Sequence, residues 1–234
     1  MVAPRFAADW FAPLRDRAIL SCQAPAGSPL NEPSIIAATA LACLNNGAAA
    51  VRIESPERVA AVRAIAPEAL IIGLWKQTYP ESSVYITPQF HHAAAIAAAG
   101  ADIIAIDATA RPRPGGETLA DLIARIHNEL DKPVMADLDT IASAQGAIAA
   151  GADLLGTTLY GYTEATADQA PPGFDLLTEL VARHGDRPVL CEGGIASPAA
   201  ARRAIDLGAF AVVIGTAVTG IDLQTAAYCR AVAG

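Results

Sequence analysis

Leu70-Ile71-Ile72-Gly73-Leu74-Trp75-Lys76 is an apolar run of strand length that stops on a lysine. A run apolar along its whole length fits a strand covered on both faces, as in a parallel sheet. Lys76 then stands where the strand leaves the core, either as a solvated strand end or as a group that meets a bound molecule. Outward from this stretch the chain repeats one theme. Alanine-rich helical segments end in Gly47-Ala48, Gly100-Ala101, Gly151-Ala152 and Gly208-Ala209, and each passes directly into an apolar strand. Glycine suits these ends because it takes the left-handed conformation without a Cβ penalty.

The junctions recur at intervals of roughly fifty residues, room for two strand-helix units each. Strands are predicted over 18–23, 49–54, 70–76, 102–107, 133–139, 153–158, 188–194 and 210–216, with helices clearest over 118–130, 174–184, 198–207 and 222–233. Strict alternation means parallel strands with right-handed crossovers, and eight units close into an α/β (β/α)8 TIM barrel. An open doubly wound sheet is the alternative, but no G-x-G-x-x-G follows the first strand. The expectation is a single domain: an N-terminal extension over 1–16, compatible with a short amphipathic helix, then the barrel with its C-terminal helix over 17–234.

Composition narrows the partners. A net charge of −8 without a basic cluster argues against nucleic acid or an anionic membrane surface, though a small anion can bind locally. Cys22, Cys43, Cys191 and Cys229 are far apart and form no C-x-x-C pair, so free thiols and no metal are expected. The first 17 residues contain Asp9 and Asp16 and no long apolar run, so no secretory signal or membrane span is read there, and the cytoplasm follows as default.

In such a barrel the active site lies at the C-terminal ends of the strands. Those ends read Gln23, Arg52 and Glu54, Lys76, Asp107, Asp137 and Asp139, Thr157 and Thr158, Glu192, and Gly215-Thr216. One polar strand end is usually only solvated, whereas a full set converging on one mouth is a candidate site. The turn Glu192-Gly193-Gly194 leads to a helix with Ser197 as N-cap and Pro198 at its first position. Barrels often bind phosphate between the loops after strands seven and eight, which selects Gly193, Gly194, Gly215 and Thr216.

Several runs carry a resemblance. Ser21-Cys22-Gln23-Ala24-Pro25-Ala26-Gly27-Ser28-Pro29-Leu30, Ala50-Val51-Arg52-Ile53-Glu54, Tyr85-Ile86-Thr87-Pro88 and Gly156-Thr157-Thr158-Leu159-Tyr160-Gly161-Tyr162-Thr163 are similar to those of the N-acetylmannosamine-6-phosphate 2-epimerase family. The resemblance implies a (β/α)8 barrel, usually a homodimer, that interconverts N-acetylmannosamine 6-phosphate and N-acetylglucosamine 6-phosphate without metal or organic cofactor in sialic-acid breakdown. It implies Lys76 and Glu192 as catalytic residues and Gln23, Arg52 and Asp137 as substrate-holding residues. Thr158 joins the substrate-binding set as a neighbouring strand-end hydroxyl.

The chemistry fits those residue types. Inverting C2 means removing a proton next to a carbonyl, once the sugar ring has opened, and returning one to the opposite face. A neutral lysine can take that proton if burial or a cation such as Arg52 lowers its pKa. Glu192 can return a proton or meet the developing oxyanion, but an ionised Glu192 would raise the pKa of Lys76 and oppose its role as base. Arg52 serves as a substrate clamp or as a partner of Glu54. One departure stands out: the family commonly reads Thr-Arg after the eighth strand, where this chain has Thr219-Gly220, and Asp222 adds a negative charge nearby. Alternatives are therefore an epimerase of the unphosphorylated sugar, a non-catalytic sugar-phosphate-binding barrel, and a Schiff-base aldolase using Lys76.

Weaker signals complete the expectations. His91 and His92 are adjacent on a helix and are expected to point apart, and His127 and His184 to lie on helix surfaces. The loop 111–116 is expected to rim the site, and residues 163–173 to form a lid or a linker.

Overall fold

A computed structural model describes residues 5–233. Eight parallel strands close into a barrel in sequence order: β1 Arg17–Cys22, β2 Ala50–Glu54, β3 Ile71–Leu74, β4 Ile103–Asp107, β5 Val134–Asp137, β6 Leu154–Gly156, β7 Val189–Glu192 and β8 Ala211–Ile214. The helices are α1 Pro33–Asn45, α2 Pro56–Ile65, α3 Phe90–Ala98, α4 Leu119–Arg125, α5 Ile141–Ala150, α6 Phe174–His184, α7 Pro198–Asp206, α8 Thr216–Thr219 and α9 Ile221–Ala233. The TIM-barrel architecture expected from the alternation is the one formed. Gly47, Gly100, Gly151 and Gly208 all have φ between 95° and 106°, so each junction uses the freedom that only glycine has cheaply.

Alternation along each strand sorts the side chains. Ile19, Ala50, Ile72, Leu74, Ile103, Ala105, Met135, Leu154, Leu190, Ala211 and Val213 pack together inside the barrel, while their neighbours in sequence pack outward against the helices. Outside, Gly73 on β3 lets α3 approach: a Cβ there would lie 2.4 Å from Ile96 Cγ2. The N-terminal extension forms a 3-10 helix over Ala8–Leu14, and its Phe11 and Leu14, 1 % and 0 % exposed, join the interior cluster. Residues 1–4 of that extension lie outside the described residues.

Three histidine expectations are corrected. His92 Nδ1 accepts the Gln89 N–H in a reciprocal cap of α3, which turns its ring back to lie 3.8 Å, centroid to centroid, from His91. His127 is buried, because the extension passes over it with Phe6 and because its Nε2 pairs with Asp153 at 2.8 Å. His184 is half-buried at the turn where Arg187 N–H donates to its carbonyl. The predicted helix over 118–130 is α4 followed by a π-helical turn, Ile126–Leu130. Among the described residues no helix is long and apolar enough to cross a membrane.

Candidate active site

The inward alternation that fills the barrel with apolar groups turns polar one layer higher. On β2 the inward positions run Ala50 then Arg52, on β5 Met135 then Asp137, and on β7 Leu190 then Glu192. Gly156 on β6 leaves the room these groups occupy, since a Cβ there would sit 2.7 Å from Met135 Cε and 3.6 Å from Asp137 Oδ1. Above this layer opens a cavity of about 630 Å³ at the C-terminal end of the strands, within the range of small-molecule sites.

Arg52 is the hub. Its two terminal nitrogens donate to Asp137 at 3.1 and 2.7 Å, a bidentate pair with both side chains out of water, and Nη1 lies 3.2 Å from Glu192 Oε2. Burial works against the guanidinium charge, but Asp137 and then Glu192 more than offset it and raise its pKa. Glu192 is pushed up to about 7, chiefly by burial and further by Asp137, against the opposing pull of Arg52. Its backbone is clamped from β6: its N–H donates to Thr157 Oγ1 at 3.0 Å, and that hydroxyl donates back to the Glu192 carbonyl at 2.9 Å.

Lys76 lies two residues beyond the end of β3, in an antiparallel bridge with Ile86. The chain between them folds back as a hairpin, with Gln77 N–H to the Tyr85 carbonyl at 2.9 Å and Thr87 N–H to that of Trp75 at 2.8 Å. Lys76 Nζ donates to Gln23 Oε1 at 2.5 Å. Burial lowers its pKa first, Arg52 lowers it further, and Glu54, Glu192 and Asp137 oppose the shift. Thr158 Oγ1 stands 2.7 Å from Asp137 Oδ1 and 3.1 Å from Glu192 Oε2. Gln23, Arg52, Lys76, Thr158 and Glu192 thus line one cavity, with Asp137 directly behind Arg52.

Not every polar strand end joins them. Glu54 pairs with Arg58 at 2.7 Å rather than with Arg52, Asp107 with Arg111 at 2.6 Å, and Asp139 accepts from Ser143 and Thr163 at 2.6 and 2.8 Å. These carboxylates fasten loops and helix starts. Conversely, Ser21, Tyr85 and Tyr162 line the cavity without having been singled out as site residues. Ser21 was findable, since it lies on β1 two residues before Gln23, and it accepts from the Gln23 Nε2 at 2.6 Å. Tyr85 arrives on a hairpin that carries no periodic signal, and burial followed by Asp137 raises its pKa, keeping the phenol protonated.

Gly193, Gly194, Gly215 and Thr216 line the same cavity. Gly193 and Gly194 have φ of 99° and 67°. A Cβ on Gly194 would meet Pro171 Cβ at 2.6 Å, so residues 163–173 are seated directly on this turn. That segment is also tied down by Thr163 to Asp139, by Gly161 N–H to Thr166 Oγ1 at 3.0 Å and by Tyr160 to Gln169 at 3.0 Å. Gly220 closes α8, where a Cβ would fall 2.7 Å from Thr216 Cα, so this backbone excludes a side chain at that position. Asp222 accepts from Ser28 Oγ at 2.9 Å. Among the described residues lining the cavity, the cations are Arg52, which Asp137 holds, and Lys76.

The fold and the cavity define an enzyme-type (β/α)8 barrel with a lysine and a carboxyl group at its mouth. Residues 36–233 match the NanE family model, described as putative N-acetylmannosamine-6-phosphate epimerase. A putative N-acetylmannosamine-6-phosphate 2-epimerase of Synechococcus elongatus is 61 % identical over 213 residues, covering 91 % of this chain and 92 % of that protein. One from Cutibacterium acnes is 44 % identical over 202 residues, 86 % and 87 % of the two chains. The solved N-acetylmannosamine-6-phosphate 2-epimerase of Clostridium perfringens superposes with a TM-score of 0.90 at 32 % identity, covering 98 % of this chain and 99 % of that one. The chain belongs to the N-acetylmannosamine-6-phosphate epimerase family.

Proposed function

We propose that the chain epimerises C2 of N-acetylmannosamine 6-phosphate to give N-acetylglucosamine 6-phosphate, with Lys76 as base and Glu192 as the proton-returning acid. The observation that carries this is one cavity lined both by a lysine whose ammonium form is disfavoured by burial and Arg52 and by a glutamate pushed up to about 7. These are the directions a base and an acid need near neutral pH. Lys76 takes the C2 proton of the ring-opened sugar. Gln23, whose Oε1 accepts from Nζ, orients the amine, and Arg52, locked by Asp137, meets charge developing on the carbonyl oxygen.

The phosphate is held by backbone N–H groups of Gly193, Gly194, Gly215 and Thr216, where a bare glycine backbone admits close approach of an anion. Among the described residues the cavity is lined by no cation beyond Arg52 and Lys76, which favours a second reading, turnover of the unphosphorylated sugar. Proton NMR in D2O with each sugar decides. Epimer carrying deuterium at C2 from the phosphorylated sugar supports the first reading, and turnover of only the free sugar supports the second. Exchange with neither overturns both, and borohydride trapping of a substrate adduct would favour an aldolase.

The chain acts as a homodimer with α9 at the contact. That helix has no buried residue, and Ile221, Leu223, Tyr228 and Val232 on it are 54–86 % exposed, apolar area that a second copy would cover. Free thiols at Cys22, Cys43, Cys191 and Cys229 and a small-molecule substrate fit a cytoplasmic enzyme.

A further inference from the structure

Thr158 presents one hydroxyl to two carboxyl groups, 2.7 Å from Asp137 Oδ1 and 3.1 Å from Glu192 Oε2. A hydroxyl has one hydrogen and two lone pairs. Asp137 is gripped by two N–H groups of Arg52, a pairing between guanidinium and carboxylate, and a carboxylate only accepts. The shorter contact therefore takes the hydrogen of Thr158. What faces Glu192 is an oxygen lone pair, which repels an ionised carboxylate and accepts a hydrogen bond from a neutral acid.

We propose that Thr158 is a positioning residue: by donating to Asp137 and accepting from Glu192, it holds Glu192 as a neutral acid and stores one proton in the site before substrate arrives. The proposal deepens, and rests on, the acid role proposed above for Glu192. The charged and titratable groups facing Glu192 are Arg52 from β2, Asp137 from β5 and Lys76 beyond β3. Arg52 and Lys76 favour its ionised form, as Thr158 would if its one hydrogen went to Glu192, whereas burial and Asp137 favour the neutral form; the direction of the Thr158 hydroxyl, set by its shorter contact with Asp137, tips the balance. A neutral Glu192 also removes the conflict by which an ionised glutamate would keep Lys76 protonated.

The proton count closes. The C2–H bond breaks toward the neutral amine of Lys76, and the O–H bond of Glu192 breaks toward the opposite face of C2. An ammonium and a carboxylate are left behind. The ammonium returns a proton to water and the carboxylate takes one up, which restores the starting state.

The decisive measurement is the titration of Glu192, followed by infrared difference spectroscopy of its protonated carboxyl, with Glu192→Gln identifying the band. In Thr158→Val the midpoint is expected to fall by about one pH unit, a tenfold loss of proton affinity, and Thr158→Ser restores it. The alkaline limb of kcat/KM moves with it. A midpoint that rises or stays in Thr158→Val overturns the proposal, because the hydroxyl would then be donating to an ionised Glu192. Thr158→Ala repeats the test if valine disturbs folding. The titration needs no substrate, so a wild-type protein that exchanges no deuterium at C2 would sink the proposed function while leaving this test decisive.

Discussion

Arg52 and Asp137 meet inside the barrel through two parallel contacts of 3.1 and 2.7 Å, with neither side chain in water. Two charges are taken out of solvent together, so each is tolerable only because the other is present. Asp137→Asn leaves the guanidinium with Glu192 as its remaining carboxyl partner. The expected loss is about 3–5 kcal/mol of folding stability, read by urea unfolding. A loss under about 1 kcal/mol, typical of exposed pairs, would mean that water reaches Arg52.

Lys76→Ala is expected to lower the rate of C2 deuterium exchange by about 10²–10⁴. Lys76→Arg should not restore it, because a guanidinium keeps its proton. Proton NMR in D2O measures both, and substantial exchange in Lys76→Ala would move the base elsewhere.

The pH dependence of stability has a definite sign. Glu192 is raised from 4.5 to about 7 in the folded state, so its contribution is complete below pH 4.5. From there to about 7 the folded form keeps a proton that the unfolded form has lost, and stability falls as pH rises. Glu192→Gln should flatten that slope. Urea midpoints measured across the window decide, and equal slopes in both proteins would remove Glu192 as the cause.

Gly194→Ala places a methyl group where Pro171 already sits, at a residue with φ of 67°. The backbone cost is about 1–3 kcal/mol, and residues 163–173 must shift to make space. Steady-state kinetics should show KM for the phosphorylated sugar rising more than kcat falls. An unchanged KM would mean that the turn does not hold the phosphate.

Tyr228→Asp together with Val232→Asp should convert the proposed dimer to monomer in light scattering, since both side chains are exposed on α9. A dimer that survives both changes would place the contact on another face.

The barrel was legible because its punctuation is steric. A helix that ends on glycine and re-enters as an apolar strand leaves a mark in sequence, and all four Gly-Ala junctions have the backbone conformation that mark implies. Arg52, Asp137 and Glu192 were legible because two-residue alternation places strand ends inward. Glu54 and Asp107 looked identical by that rule, yet arginines four residues later, Arg58 and Arg111, draw them into local pairs. His127 could not be read as buried, because what covers it comes from Phe6, far away in sequence. Tyr85 and Tyr162 were missed for a related reason: loops place side chains by tertiary contacts, and no period records that.

Phe11 and Leu14, set into the barrel from below, make its far end a stopper. Whatever enters the mouth has no rear exit, so both epimers use one doorway and each blocks the other while it is inside. Under the proposed chemistry, accumulating product slows the enzyme by occupying the entrance, and the direction of net flux follows from how far the ratio of the two sugars outside stands from its equilibrium value.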